Sequence, residues 1–165
     1  MTRLILTALL LAGFMSVPVH AADKKPAAKE PALSDFKLGK TMVGKGSLAD
    51  AKGKGVVIEA WGVHCPPCIA SLPKLQALSV KHKDKVLFFG AESQGSDKKA
   101  IEAVTKKAGV TFPISTGLAK CPIEFSAIPR AFVFDASGKL IFDGSPGSKG
   151  FAEAVEKAAA SVAAK

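Results

Sequence analysis

Few side chains in this sequence are built for covalent chemistry, and the pair that stands out is Cys65-Pro66-Pro67-Cys68, two thiols three positions apart. If a helix opens at Cys65, the second thiol sits one turn inward, near enough for the two sulfurs to close a small disulfide ring. A helix N-terminus carries partial positive charge, which favours a thiolate over a thiol. Cys65 is therefore the candidate nucleophile. Thiols in such places have pKa values from roughly 3.5 to 7.5. Pro66 and Pro67 have no amide protons to solvate the sulfur, so the amide of Cys68 gains importance. His64, directly before Cys65, adds positive charge when protonated; the alternative is a surface histidine beside the cleft with no catalytic duty.

The third cysteine, Cys121, makes the number odd, and three thiols cannot all pair within one chain. That excludes a disulfide-stapled miniprotein. Cys121 is a small core residue, a regulatory partner for the dithiol, or one half of an intermolecular bond. Cys65, Cys68, His64 or Cys121 holding copper or zinc is a second class of reading, since soft thiolates suit copper(I). Beyond residue 21, however, the only histidines are His64 and His82. A distal histidine ligand is missing, and no metal or other cofactor is expected.

The elements that must position these residues follow from pattern. Val56-Val57-Ile58-Glu59-Ala60-Trp61 is β-prone and almost continuously apolar, as in a central strand covered on both faces. A helix opening near Pro66-Pro67 carries Leu72, Leu75 and Leu78 as its apolar face, with Pro73 as a kink. Val86 to Ala91 reads as a second buried strand. A helix follows, with Ser96 as N-cap, Ile101, Val104 and Ala108 on one face and Gly109 as its stop. Ala131 to Phe134 and Leu140 to Phe142 form a hairpin around Asp135-Ala136-Ser137-Gly138. Ser148 then caps a last helix with Phe151, Val155, Ala158 and Val162 on one face. A parallel βαβ unit followed by an antiparallel ββα unit predicts an α/β fold, with a mixed four-stranded core sheet and helices on both faces. His82 is expected at the surface near the end of the first helix.

The length of 165 residues suits one domain, and 48% apolar residues with ten Phe suffice for a core. The net charge of +9 comes from 23 Lys and Arg against 14 Asp and Glu. Only Arg3 and Arg130 are arginines, and the lysines scatter without interleaved aromatics, so the charge reads as solubility and no nucleic-acid partner is expected. Residues 1–21 have the layout of a secretory leader: Arg3, an apolar run from Leu4 to Met15, Pro18, then Val19-His20-Ala21 with cleavage expected after Ala21. The Ala/Lys/Pro-rich stretch 22–35 reads as a flexible linker, with little order before Phe36.

With Trp61 four residues before Cys65, the CxxC pair, Pro73, and Ile128-Pro129 just before the hairpin, the chain resembles the thioredoxin superfamily. Within it, the chain is most similar to the secreted TlpA/ResA-like thiol-disulfide oxidoreductases. Ser47-Leu48 and Gly53-Lys54, entering the first core strand, belong to the same resemblance, which covers roughly Phe36 to Ser161. It implies a thioredoxin-like domain over 36–165, with Pro129 a cis proline beside the dithiol and Ile128 offering its backbone to a substrate segment. Trp61 and His64 would complete the substrate surface.

Three departures matter. His64 stands where Trp is common, Ser71 where secreted members often carry Glu, and Glu59 where TlpA-like proteins often have Asn and thioredoxins proper carry a buried acid. A carboxyl in an apolar strand has a raised pKa and costs free energy unless it is bonded, neutral or useful. Glu59 is therefore expected to take the proton of Cys68, directly or through a water; the alternative is an edge-facing or hydrogen-bonded structural Glu.

The resemblance implies an extracytoplasmic, periplasmic enzyme without cofactor that acts as a monomer. Cys65 attacks a disulfide of an exported protein substrate and Cys68 resolves the mixed disulfide, with reducing equivalents from a membrane thiol donor. An oxidase or isomerase would use the same dithiol, because direction is not written in the motif.

Overall fold

The computed structural model describes residues 30–163. The leader expected over 1–21 and the start of the linker lie outside the described residues. In chain order the elements are β1 (Lys37–Leu38), β2 (Thr41–Val43), β3 (Gly55–Trp61), α1 (Pro66–Lys81), β4 (Val86–Glu92), α2 (Lys98–Lys107), β5 (Ile114–Ser115), β6 (Leu118–Lys120), β7 (Arg130–Phe134), β8 (Leu140–Gly144) and α3 (Lys149–Ala160). The main sheet runs β2-β5-β4-β3-β7-β8, and β1 pairs with β6 in a separate ribbon. β3 is parallel to β4, β4 to β5, and the remaining neighbours are antiparallel.

The βαβ and ββα halves are as the sequence predicts, and every residue of β3 is buried, as befits a central strand. The sheet is wider than the four strands expected, because β5 and β2 extend it beyond β4. Two and three residues long, these strands are too short for an alternation to show. Three local expectations also change. Asp97, not Ser96, caps α2, its carboxylate accepting the Ala100 amide at 2.8 Å. Ser148 occupies the N-cap position of α3 without bonding an amide through its side chain. Order begins ahead of Phe36: the Leu33 amide bonds the Gly138 carbonyl at 2.8 Å, and Ala32 bridges to Lys139.

Strand alternation splits the core in two. Val57 and Trp61 face a cluster holding Cys68, Leu72 and Leu75 of α1, Ile101 of α2, and Phe151, Val155 and Ala158 of α3. Val56 and Ile58 face the other cluster, with Phe36, Phe89, Phe132 and Phe134. All three helices thus bury their side chains on one face, which corrects the expectation of helices on both. The order β3, β4, β5 advances in one direction, so two right-handed crossovers place α1 and α2 on the same side. The opposite face is closed by two short 3-10 turns, which bring Leu33 and Leu48, and by the loop that brings Cys121, Ile123 and Phe125. Phe36 meets Phe132 and Phe134 with ring centroids 5.2 and 5.0 Å apart. Each such buried aromatic or aliphatic side chain contributes about 1.5–3 kcal/mol.

Candidate active site

β3 ends at Trp61, the chain turns through Gly62-Val63-His64, and α1 begins at Pro66 with Cys65 as its N-cap. Gly62 leaves room for Gln94: a Cβ there would come 2.2 Å from Gln94 Oε1 and displace that side chain. That same oxygen accepts the His64 amide at 2.8 Å and so fixes the turn that delivers Cys65. Nothing in the sequence singled out Gln94, since its partner is thirty residues away.

Cys65 and Cys68 are joined by a disulfide with Cα atoms 5.2 Å apart. The sulfurs are not equivalent, since Cys65 is 7% exposed and Cys68 is 0% exposed. With prolines at the first two helical positions, the Cys68 amide is the nearest donor of the first turn, and it bonds Cys65 Sγ at 3.3 Å. The Ile128-Pro129 peptide is cis, and the Ile128 carbonyl oxygen lies 3.8 Å from Cys65 Sγ. Ile128 and Pro129 are half-buried and His64 is exposed, so these three flank the outer sulfur.

Trp61, expected at the substrate surface, is 0% exposed. Its place on β3 turns it inward with Val57, into the cluster that holds α1. It packs beneath the site and offers no exposed surface. Gly90 makes room for it, since a Cβ there would come 3.0 Å from the indole nitrogen.

Glu59 is also 0% exposed, in the middle of the central strand, where it pairs with Gly90 on β4 and Ala131 on β7. The edge-facing alternative is thereby excluded. Burial raises its pKa from 4.5 to about 7, against the pull of a 2.7 Å hydrogen bond donated by Ser71 Oγ to Oε1. Its other oxygen, Oε2, is buried and has no protein partner. Ser71 Oγ also lies 2.7 Å from the Cys68 carbonyl oxygen. Ser71 is thus the second group that sequence reasoning did not place, although its position one turn beyond Cys68 and the apolar run around Glu59 held the signal.

Cys121 is half-buried and packs on the opposite face of the sheet from the dithiol, its thiol donating to the Ile123 carbonyl at 3.1 Å. Burial pushes its pKa up. It packs against the second core cluster, the first of the readings that the sequence left open, and not beside Cys65 as a ligand or regulatory partner. Among the described residues no three His, Cys, Asp or Glu side chains gather into a metal-binding group. His82, expected at the surface, has a side chain only 9% exposed, with Nε2 3.2 Å from Glu156 Oε1, because the end of α3 covers the end of α1.

Comparison with known proteins agrees with this geometry. The Redoxin family model matches residues 22–160. The thiol-disulfide oxidoreductase ResA of Geobacillus kaustophilus is 25% identical over 84% of this chain and 82% of its own length. ResA of Bacillus subtilis is 27% identical over 85% and 80%. Among solved structures, a thiol:disulfide interchange protein of the thioredoxin family from Chlorobium tepidum has a TM-score of 0.63 at 22% identity, covering 81% of this chain and 99% of that one. A secreted disulfide oxidoreductase of Mycobacterium tuberculosis has a TM-score of 0.58 at 22% identity, covering 74% and 94%. Both likenesses bear on the fold. The chain belongs to the Redoxin family, as a ResA-like thiol-disulfide oxidoreductase of the thioredoxin superfamily.

Proposed function

We propose that this oxidoreductase works outside the cytoplasm and reduces disulfides of exported proteins, with Cys65 as attacker, Cys68 as resolver and Glu59 as the proton acceptor. The Cys65 thiolate attacks a substrate disulfide, forming a mixed disulfide and releasing one substrate thiolate. Cys68 then gives its proton to ionised Glu59 and attacks Cys65 Sγ. The bond to substrate breaks, the Cys65–Cys68 disulfide closes, and the second substrate thiolate leaves and is protonated from Glu59. Two electrons pass from dithiol to substrate. The flanking Ile128, Pro129 and His64 form the surface on which the substrate segment rests. A membrane thiol donor outside the cytoplasm would restore the dithiol.

The observation that carries the reducing direction is the poverty of donors around Cys65. Strong oxidants owe their potential to a well-stabilised thiolate in the reduced form. Here two of the amides that would do this are prolines, and Cys68 N–H alone reaches the sulfur. Fewer donors mean less stabilisation of the reduced form, which favours giving electrons away. Equilibration with glutathione is expected to place the potential below about −230 mV; a value near about −120 mV would instead make it an oxidase. Trapping with Cys68→Ala should leave exported proteins disulfide-linked to Cys65, and an empty trap would remove the assignment of substrate. The leader at 1–21 supports the location. N-terminal sequencing of exported protein is expected to begin at Ala22, and an intact Met1 would overturn it.

A further inference from the structure

We propose that Ser71 is a positioning residue of this site, whose single hydroxyl proton turns between the Glu59 carboxyl and the Cys68 carbonyl as Glu59 loses and gains its own proton. This rests on the reading of Glu59 as the proton acceptor, and it explains how a buried acid with one unpartnered oxygen is held ready beside the first turn of α1. Ser71 Oγ is 2.7 Å from Glu59 Oε1 and 2.7 Å from the Cys68 carbonyl oxygen. A serine hydroxyl has one proton, so it donates to one of these oxygens at a time. An ionised Glu59 is acceptor-only, and the Ser71 proton must then point at it. A protonated Glu59 donates through Oε1 to Ser71 Oγ, which frees the Ser71 proton for the Cys68 carbonyl. Both states are bonded with every heavy atom in place, so the switch needs only the rotation of one O–H.

The consequence concerns the range in which Glu59 works. Burial favours the neutral carboxyl, and the Ser71 bond is what opposes it. Among the described residues no other group does so. The residues paired with Glu59 on β4 and β7 are Gly90 and Ala131, and α3 contributes Phe151, Val155 and Ala158 to the same core. On α1, one turn beyond Ser71, Lys74 is exposed and its ammonium turns to the Pro146 carbonyl 3.4 Å away. Cys65 and Cys68, the thiols of the same cluster, are joined in a disulfide and do not titrate in the oxidised protein. Without the hydroxyl, Glu59 would stay protonated to higher pH and be unable to accept a proton near neutrality.

Carbon-13 NMR of the Glu59 carboxyl in the oxidised full-length protein reads this directly, alongside the pH profile of disulfide turnover. The wild-type midpoint near about 7 is expected to move upward by about one pH unit in Ser71→Ala, since a hydrogen bond to a charged group is lost. Ser71→Thr, which keeps the hydroxyl, should restore it. Ser71→Val, the same shape as Thr without the hydroxyl, should match Ser71→Ala and serves if the alanine variant folds poorly. A midpoint unmoved in both Ala and Val variants overturns the proposal. If the midpoint moves while Glu59→Gln leaves the turnover profile unchanged, Ser71 still governs the carboxyl, and it is the proton-acceptor reading of Glu59 that falls.

Discussion

Replacing Glu59 by Gln keeps the size of the side chain and an oxygen for Ser71 while removing the charge, so its effect on stability isolates what burial does to the carboxyl. The folded chain holds the Glu59 proton up to about pH 7, whereas an unfolded chain releases it near 4.5. Between those values the native state binds more protons than the unfolded one, so this group's contribution is fully present below about 4.5 and is lost as pH rises through 7. At 1.36 kcal/mol per unit, the shift corresponds to about 3 kcal/mol. Gln cannot ionise and shows no such loss. Guanidinium unfolding of both oxidised proteins should therefore give similar stabilities near about pH 4 and a variant more stable by about 3 kcal/mol near about pH 8. Comparing the two proteins at each pH cancels the other titrating groups. A difference that stays constant from acid to base would refute the reasoning, for it would mean that Glu59 ionises in the fold as freely as in the unfolded chain.

Cys121→Ala is expected to change turnover by less than about twofold, since the thiol is half-buried, basic and across the sheet from the dithiol. Steady-state rates with a small disulfide check this, and a large loss would restore Cys121 to the redox cycle. Arg130 forms a two-pronged ion pair with Asp143, at 2.6 and 2.8 Å, joining β7 to β8 immediately after Pro129. Arg130→Ala should lower stability by about 1 kcal/mol, given its partial exposure, and Arg130→Lys should recover little because an ammonium cannot make both bonds; denaturant midpoints at low and high salt measure both.

Much of the site was legible because its chemistry is local. A thiol at a helix entrance, a second one turn inward and two prolines between them imply the Cys68 amide bond without knowledge of the rest of the chain. Glu59 was legible for a different reason, since a charge inside an apolar strand contradicts its surroundings and demands an explanation. What escaped was non-local. Gln94 lies thirty residues from the amide it holds, and β5 and β2 owe their strand character to the neighbours they pair with. Trp61 was assigned to the surface by resemblance, yet the alternation along β3 that put Val57 inside puts Trp61 there too. The expectation of helices on both faces failed through strand order: only the position of β5 beside β4 reveals that the crossover carrying α2 repeats that of α1.

Positions 59 and 71 acquire a common meaning once they are seen in contact. The relatives that the sequence resembles often carry an acid at the helical position, and this chain carries Ser71 there with an acid on the strand opposite. The hydroxyl and carboxyl meet at 2.7 Å, so a carboxylate at both positions would force two like charges together in a buried site and drive up the pKa of one or both. One acid can occupy the junction and still ionise near neutral pH; its partner must then be a group that donates. Serine meets that requirement and, with its oxygen also within reach of the Cys68 carbonyl, ties the acid to the turn that holds both cysteines. On the role proposed for Glu59, the two departures from the family pattern form one arrangement, in which the acid stands on the strand and the hydroxyl facing it from the helix holds it in range.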